Sequence, residues 1–477
     1  MSFASTAPTS KEDPSGTQPS AAHEPPTLLI LGAGGDLTAR LLLPGLAGLL
    51  AHGGAAGLTL IGCGTDDWTD AQWREHVTAA VKGSAGGDER VTQVIERSRY
   101  HKADVTDRAD LTRLLGECTG VPVLYFALPP AVTVRACQVL TGIDVPDGTR
   151  LVLEKPFGTD EASAADLNAL INRIVPEQRI FRVDHFLGMS TVLNILGLRF
   201  ANRIVEPLLN NGHVERVEVV FDEDLGLEGR AGYYDRAGAL VDMVQSHLLQ
   251  VLALLTMEPP ATLTAGDLRD QKALVLRATR VWQDDPVRCS RRAQYTAGTV
   301  GSRRLPAYRG EPGIPPDSGT ETLAEVLLTV DTWRWAGVPF LLRSGKALGR
   351  PRKDIVVTFR PSPKVPGGFT GHDRPDRLRI GLRPDRLRLD LNLNGPGDPT
   401  RLDQVTLGAD FGEGDLPPYG EVLDGVLAGD PTLSVRGDTA VQCWRIIRPV
   451  LDAWRDDHVP LDTYAAGSDG PEGWTRP

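Results

Sequence analysis

The sequence predicts an α/β half followed by an α+β half. Three observations predict it. Thr27 to Leu31 is a short apolar run, followed at once by Gly32-Ala33-Gly34-Gly35-Asp36-Leu37 and a helical stretch from Thr38 to Ala51. Helix and strand patterns then alternate as far as Val183. From Asp184 the pattern changes to alternating strands around one long apolar helix, Ala239 to Met257. The boundaries read as a disordered tail over 1–26, a first domain over 27–183, a second over 184–466 and a frayed tail over 467–477.

The first run is the kind that forms a buried parallel strand. In a strand–glycine turn–helix context the glycines let backbone approach a pyrophosphate, and the helix N-terminus supplies free N–H groups and a positive dipole end. Dinucleotide binding is therefore expected here, although Leu37 stands in place of the third glycine of the usual GxGxxG. The second strand, Leu58 to Gly62, ends in Cys63-Gly64-Thr65-Asp66-Asp67. An acidic side chain at this strand end accepts from a ribose 2′-hydroxyl, whereas an Arg accommodates a 2′-phosphate. Neither Arg nor Lys follows until Arg74, so NAD is expected ahead of NADP. Asp66 and Asp67 could equally cap a helix starting near Trp68. Val123 to Ala127 is strand-like and stops at Leu128-Pro129-Pro130, where a cofactor could lie. The strand in Arg150 to Gly158 delivers Glu154 and Lys155 to its carboxyl end, the ligand side of such sheets. The plainer reading of that pair is a solvated ion pair.

In the second half, Ser190 to Asn202 has helical spacing and Val214 to Phe221 alternates. Strand-like runs lie within Thr322 to Trp335, Asp354 to Phe359 and Leu378 to Leu393. A larger sheet with helices on one face fits this order. Pro361 to Asp376 reads as a loop and Thr439 to Trp454 as an amphipathic helix.

Composition bounds the partners. Of 477 residues, 41% are hydrophobic and 24% charged, as in a soluble globular protein. A net charge of −11 argues against general nucleic-acid or anionic-membrane binding, but not against a small anionic ligand in a local basic pocket. Cys63, Cys118, Cys137, Cys289 and Cys443 are scattered with no CxxC pair. Reduced thiols in a cytoplasmic protein are expected, with no disulfide scaffold and no metal site. The Ser-, Thr-, Pro- and Ala-rich start lacks the apolar region of a signal peptide. Leu41 to Thr65 is free of charged residues, but Pro44, His52 and the glycines from Gly53 to Gly57 break it as a membrane span.

The chemistry concentrates at Arg182-Val183-Asp184-His185-Phe186-Leu187-Gly188 and at His247 in Gln245-Ser246-His247-Leu248-Leu249-Gln250. A neutral imidazole takes an alcohol proton near neutral pH, and a carboxylate fixes its tautomer and stabilises the imidazolium. By spacing alone, Asp184 and His185 could be ordinary loop residues and His247 a satisfied core histidine.

Taken together, these pieces resemble the glucose-6-phosphate dehydrogenase family. Gly32-x-x-Gly35-Asp36-Leu37 looks like its opening cofactor turn, Glu154-Lys155-Pro156-Phe157-Gly158 its EKPFG strand end, and Arg182 to Gly188 its R-[IV]-DHYLGK signature. Arg199-Phe200-Ala201-Asn202 with Glu206-Pro207 and Asn210, Arg230 to Asp235, Gln245 to Gln250, and Gly337 to Lys346 resemble further blocks. The resemblance implies an N-terminal Rossmann-type domain and a C-terminal β+α domain with a large, mainly antiparallel sheet. It implies oxidation of a pyranose at C1 to a lactone, with hydride passed to NAD or NADP, in a homodimer or homotetramer. His247 would be the base and Asp184 its carboxylate partner. Lys155 would bind substrate beside the cofactor; Glu223, Asp242 and Lys346 would face sugar hydroxyls, and His185 a 6-phosphate. Gly32, Gly35, Asp36, Leu37, Thr65, Asp66, Pro129 and Lys155 would meet the cofactor. Departures stand beside the matches. Phe186 and Met189 replace the Tyr and Lys of DHYLGK, and Leu209 replaces a Trp. Gly34 and Thr65 stand where NADP-using members often carry a hydroxyl and an Arg. Weak use of glucose 6-phosphate is therefore expected, unless Arg350 or Arg352 supplies the missing cation. A sugar oxidoreductase acting at another carbon and a non-catalytic sensor are the competing readings.

Overall fold

The structure is a computed structural model. It describes residues 25–474 except 230, 372, 396 and 413. The tail read over 1–26 lies outside the described residues except for its last two, and Arg230 lies outside them as well.

Six short strands form the first sheet: β1 (Thr27–Leu31), β2 (Thr59–Gly64), β3 (Arg99–Lys102), β4 (Pro122–Phe126), β5 (Arg150–Leu153) and β6 (Ile180–Arg182). All pair in parallel in the order β3-β2-β1-β4-β5-β6. Both faces are covered by helices, which is why β1 and β4 are buried at every position. The order reverses beside β1, so the β1 and β4 ends open a crevice there. The helix capped near Trp68 is Asp70–Val81, and its cap is Thr69, not Asp66 or Asp67.

The second sheet holds β7 (Val214–Asp222), β8 (Thr279–Val281), β9 (Ser290–Thr296), β12 (Leu323–Val330), β13 (Phe340–Gly345), β14 (Lys353–Phe359), β15 (Thr370–Gly371), β16 (Arg377–Leu382), β17 (Asp385–Asn394), β18 (Arg401–Asp410) and β19 (Leu461–Ala465). A separate hairpin joins β10 (Gly298–Val300) to β11 (Arg303–Leu305). In the large sheet β7/β13, β15/β18 and β9/β19 pair in parallel and the other neighbours antiparallel, as expected of a mainly antiparallel sheet.

One face of this sheet carries the long apolar helix. Val244, Leu248, Val251, Leu252 and Leu255 are fully buried there. The helix is not α throughout: Leu240–Leu248 is π-helical and Leu249–Thr256 is α-helical. The sequence pattern did not reveal this, because the helix is buried on nearly every side and shows no apolar stripe whose period could be read. The run Ala231–Thr256 is long and apolar enough to cross a membrane, but 89% of its most apolar window is buried inside the protein.

The C-terminal part ties the halves together and corrects one reading. The helix Pro418–Ala428, within the stretch read as the second domain, packs on the first: Tyr419, Val422, Leu423 and Val426 share a core with Leu42, Leu43 and Leu46. Close approach needs glycine at Gly188, where a Cβ would lie 2.3 Å from the Pro418 carbonyl oxygen. The segment from Gly467 is not frayed as far as Trp474. Gly467 N–H donates to the Ala347 carbonyl at 2.8 Å, Gly349 N–H to Ser468 at 2.8 Å, and the Trp474 indole to Asp462 at 2.8 Å. Backbone pairing and a half-buried, hydrogen-bonded tryptophan outweigh the composition that suggested a loose end.

Candidate active site

β6 ends at Arg182, whose fully buried guanidinium is held by Glu177 at 2.8 Å and Asn168 at 2.8 Å. That anchor fixes the chain as it leaves the first sheet. Asp184 follows, capping the short 3-10 turn His185–Gly188 by accepting from Phe186 N–H at 3.0 Å. The same oxygen, Oδ1, lies 2.5 Å from His247 Nδ1. The Phe186 ring stacks on the imidazole at 4.2 Å and 8°. Asp184 and His247 are both buried. The pair that spacing alone left open is thus one constrained unit.

The π-turn positions the rest. Five residues along an α-helix fall about 140° apart around the axis. Bonding from i to i+5 instead brings Asp242 and His247 onto one face. Lys155, delivered just beyond β5, reaches both: its Nζ is 3.0 Å from Asp242 Oδ1, 2.8 Å from the Asp242 carbonyl and 2.8 Å from His247 Nε2. An ammonium has donors only, so Nε2 is the acceptor and Nδ1 carries the hydrogen that faces Asp184. The imidazole is therefore neutral, with its lone pair toward Lys155.

Electrostatics agree with this tautomer. Burial lowers the His247 pKa below its ordinary value, against the pull of Asp184. Burial alone would raise Asp184, but the His247 and His185 side of the site holds it below the usual carboxylate range. Asp242 is likewise held low: burial opposes, and Lys155 and Lys346 win. Burial would lower Lys155, but Asp242 and Tyr233 keep it raised. His185, half-buried, is pushed down to about 3 by burial and by His247, so it is neutral. Its ring stacks on Tyr419 at 5.7 Å. Glu154 and Lys155 do not pair with each other. Glu154 accepts from Tyr125 at 2.5 Å and Tyr419 at 3.3 Å, and burial raises it to about 7.

Glu223 and Lys346 form a second pair at 2.6 Å. The Lys346 ammonium sits 5.1 Å from the Tyr234 ring, and Tyr233 donates to Asp242 at 3.2 Å. Adjacent tyrosines of the helix Ala231–Ala239 therefore join the two carboxylate–lysine pairs.

The nucleotide end is built at β1. Gly32 has φ +92°, and a Cβ there would lie 2.3 Å from the Ala127 carbonyl, so only glycine lets the turn pass under β4. Gly35 N–H closes the turn onto Gly32 at 3.1 Å. Helical backbone already begins at Asp36, and Ala39 N–H donates to the Gly35 carbonyl at 3.2 Å, so the glycine turn presents the helix N-terminus to an anion. These features fit a dinucleotide pyrophosphate. The Asp36 side chain is turned outward to Arg40 at 3.4 Å and that of Leu37 packs toward the core, so what these two residues offer at the helix start is their backbone. Thr65 and Asp66 stand exposed past β2, and Pro129 precedes the helix Pro130–Leu140 beside the same crevice. Arg74 turns away to donate to the Ser98 carbonyl, and Lys102, at the end of β3, stands 3.3 Å from Asp67.

Ligand atoms of Asp184, His185 and His247 lie within 4.8 Å of one another, a spacing that a metal ion could use. The dyad hydrogen bond and Lys155 already engage both His247 nitrogens.

Comparison with known proteins agrees with this geometry. Residues 29–194 match the model of the glucose-6-phosphate dehydrogenase NAD binding domain, and residues 196–476 that of the C-terminal domain. The glucose-6-phosphate 1-dehydrogenase of Mycolicibacterium smegmatis is 38% identical over 471 residues, covering 94% of each chain. The chain belongs to the glucose-6-phosphate dehydrogenase family. The crystal structure of the Mycobacterium avium enzyme superposes with a TM-score of 0.84 at 33% identity, covering 96% of this chain and 99% of that one. A glucose-6-phosphate dehydrogenase in complex with glucose 6-phosphate gives 0.85 at 29% identity, covering 94% and 96%.

Within this family the chain's departures gain a place. Phe186, besides stacking on His247, touches Phe221 at 4.8 Å, and Lys353 stands 5.1 Å from the Phe221 ring. Lys353 has no ion pair among the described residues. Arg350 is held by Asp469, and Arg352 by Glu218 and Asp354 at 3.1 Å each. The arginines expected as substitutes are thus engaged elsewhere, and the cation beside Phe186's neighbour is Lys353. Arg199, from another matched block, is structural: fully buried, it holds Glu206 at 3.0 Å and the Met257 carbonyl at 2.7 Å. Sequence reasoning missed Tyr233, Tyr419 and Lys353. Tyr233 lay inside a quoted block, whereas nothing local marks Tyr419, which arrives from a distant helix.

Proposed function

We propose that this chain oxidises C1 of a hexose or hexose phosphate to a lactone, with hydride transfer to a nicotinamide dinucleotide. The observation that carries it is the buried line Asp184–His247–Lys155, at 2.5 and 2.8 Å. The cofactor, when bound, supplies the acceptor for the C1 hydride. His247 Nε2 takes the O1–H proton as the C1–H bond breaks with its electron pair and C1=O forms. Asp184 holds the imidazole in the tautomer that leaves Nε2 free to accept, and stabilises the imidazolium that results. Lys155 keeps Asp242 as its partner while the substrate hydroxyl takes its place at Nε2. Asp242, Glu223 and Lys346 offer the acceptors and donors that ring hydroxyls need.

For the substrate, a hexose 6-phosphate is the first candidate, because relatives similar over nearly the whole length are named for it. Phe186 and Met189 offer a phosphate no charge-assisted donor, so its grip rests on neutral His185 and on Lys353. We therefore place the 6-phosphate as a weaker determinant here. For the cofactor, NAD is preferred over NADP. Support comes from Asp66, whose Oδ2 lies 2.5 Å from where a Gly34 Cβ would be. A carboxylate there accepts from a 2′-hydroxyl and repels a 2′-phosphate.

A homodimer or homotetramer is part of the proposal. Its support is an apolar stripe on β17 and β18: Leu389 faces Leu407, Leu391 faces Val405, and Leu407 is 52% exposed. A cytoplasmic location, without membrane or nucleic acid as partner, is supported by five free cysteines and by the acidic composition.

The test is a panel of free, amino and phosphorylated hexoses against NAD and NADP, read by reduced-cofactor absorbance with identification of the product. Lactone formation bears the proposal out. Failure of every hexose with both cofactors, or a product oxidised at another carbon, overturns it.

A further inference from the structure

The buried helix that carries Asp242 and His247 does not run on smoothly from the helix that carries Tyr233. Between them Gly238 has φ +64° and ψ 177°, far from helical values. A break of this kind is a hinge unless something spans it. The segment leading into β12 spans it. Before the break, Ser318 Oγ donates to Asp235 Oδ1 at 2.6 Å, and Thr320 Oγ1 donates to the Asp235 carbonyl at 2.6 Å. Beyond the break, Ala239 N–H donates to the Glu321 carbonyl at 3.3 Å, and Leu240 N–H donates to Glu321 Oε1 at 2.9 Å. Glu321 is buried and lies against Gly238, where a Cβ would stand 2.3 Å from Oε1.

Ala239 holds the cap position of the π-helical run and has no side-chain acceptor, so the cap comes from Glu321 on another element. The next residue continues the tie. The Thr322 carbonyl accepts from Lys346 N–H at 2.9 Å. Thr322 Oγ1 lies 2.9 Å from the Tyr464 hydroxyl, which donates to the Lys346 carbonyl at 2.7 Å. Tyr233, Asp242, His247 and Lys346 thus sit on three elements that one short strap, residues 318–322, binds together.

We propose that Glu321 is a positioning residue: by bridging the break at Gly238 it sets where Asp242 and His247 stand relative to Lys155 and Lys346. The acceptor oxygen does this, not the charge. Burial lifts the Glu321 carboxyl to about 7, and its protonated form still has an oxygen to accept from Leu240 N–H. With the cap in place the imidazole keeps Nδ1 on Asp184 and Nε2 toward the substrate. Without it the helix can shift at Gly238, and the site loses its register while the nucleotide half is untouched.

The inference rests on the proposed oxidation, which gives His247 its task, but part of its test needs no turnover. Glu321→Gln keeps an acceptor for Leu240 N–H; Glu321→Met fills the space and removes it. The full chain is labelled with 15N-histidine, and the NMR signals of His247, identified by their loss in His247→Asn, report which ring nitrogen carries the hydrogen. Wild type and Glu321→Gln should show the Nδ1–H form. In Glu321→Met the signals should move toward the average of the two tautomers. With the best hexose, at a temperature where circular dichroism shows Glu321→Met folded, its kcat should fall roughly 10–10²-fold, as for a misplacement of about 1 Å. Its cofactor affinity should be unchanged, and Glu321→Gln should restore kcat. A role in stability alone would lower Tm and leave the His247 signals and kcat at their wild-type values; that result overturns the proposal. So does a Glu321→Gln enzyme as impaired as Glu321→Met. If Glu321→Met does not fold, Thr320→Val decides, because it cuts only the strap's tie to the Asp235 carbonyl. The same signals and kcat should then move in the same direction, and unmoved values overturn the proposal. If wild type oxidises no hexose, the proposed function falls while the His247 signals still decide this point.

Discussion

Lys155 Nζ lies 2.8 Å from His247 Nε2, the atom proposed to take the substrate's proton. On that proposal the ammonium stands where a hydroxyl has to come. It is also tied to Asp242 twice, through carboxylate and carbonyl, so it can release Nε2 without losing its own partners. The resting site thus marks its substrate's position with a protein donor. Replacing Lys155 by Met should raise KM for the sugar and lower kcat, since both placement and the electrostatics of the base depend on it. Steady-state kinetics with the best hexose from the panel measure this; unchanged KM and kcat would remove Lys155 from the site.

His247→Asn should lower kcat by about 10²–10⁴-fold, the usual cost of losing a general base. Asp184→Asn should be nearly as harmful, because an amide can present a donor to Nδ1 and favour the wrong tautomer. Cofactor affinity, measured by fluorescence titration, should hardly change in either. An active His247→Asn enzyme would sink the assignment.

Activity should persist below pH 6.5, the ordinary histidine value. His247 is held lower by burial, so it is still the neutral base there, and kcat/KM falls only as pH drops through that lowered pKa. Lys155 is raised, so its charge is kept throughout the neutral and mildly alkaline range. A pH–rate profile whose acid limb lies above 6.5 would contradict a base depressed by burial.

NAD should be used ahead of NADP. Asp66→Ala combined with Thr65→Arg should narrow or reverse the ratio of kcat/KM values, a change of about 1.4 kcal/mol for each tenfold. Gly34→Ser alone should harm both cofactors, since its Cβ would stand 2.5 Å from Asp66 Oδ2. A tenfold NADP preference in the wild type would show that Lys102 leaves Asp67 and serves the 2′-phosphate.

Phe186→Tyr with Met189→Lys should raise kcat/KM for glucose 6-phosphate more than for glucose. Lys353→Met should lower it for the phosphate alone. Charge-assisted donors to a phosphate are worth roughly 1.5–3 kcal/mol each, so the Lys353 effect should exceed tenfold. If glucose and glucose 6-phosphate respond equally to Lys353→Met, that lysine does not face C6.

Leu407→Glu should dissociate the oligomer, read by light scattering, because it puts a charge in the centre of the β17–β18 stripe. A wild-type monomer would refute the stripe's role directly.

Much of this was legible in the chain. The β1 turn, the β5 end carrying Lys155 and the Asp184–His185 segment were readable because each joins a local pattern to a chemical group. The pairing of His247 with Asp184 followed from the family resemblance, since no periodicity links positions on separate elements. The π-turn under Asp242 was hidden, because this helix is buried on nearly every side and so shows no apolar stripe whose period could be read. The packing of Tyr419 against His185 was hidden too: it depends on Gly188 admitting a backbone from far along the chain. Lys102 and Lys353 were missed for the same reason, since only strand pairing brings β3 beside β2 and β14 beside β7.

The helix Pro418–Ala428 has a further consequence, in the order in which the chain is made. By the time residue 410 has left the ribosome, every strand of the first sheet and all the residues that face the sugar have been synthesised. The wall that Tyr419 builds against His185 and Glu154 has not. Until that helix emerges, the nucleotide half exposes the leucines of its first helix and keeps its ligand side unfinished. A nascent chain at that stage carries an uncovered apolar face, and a helix made late in translation is what closes it.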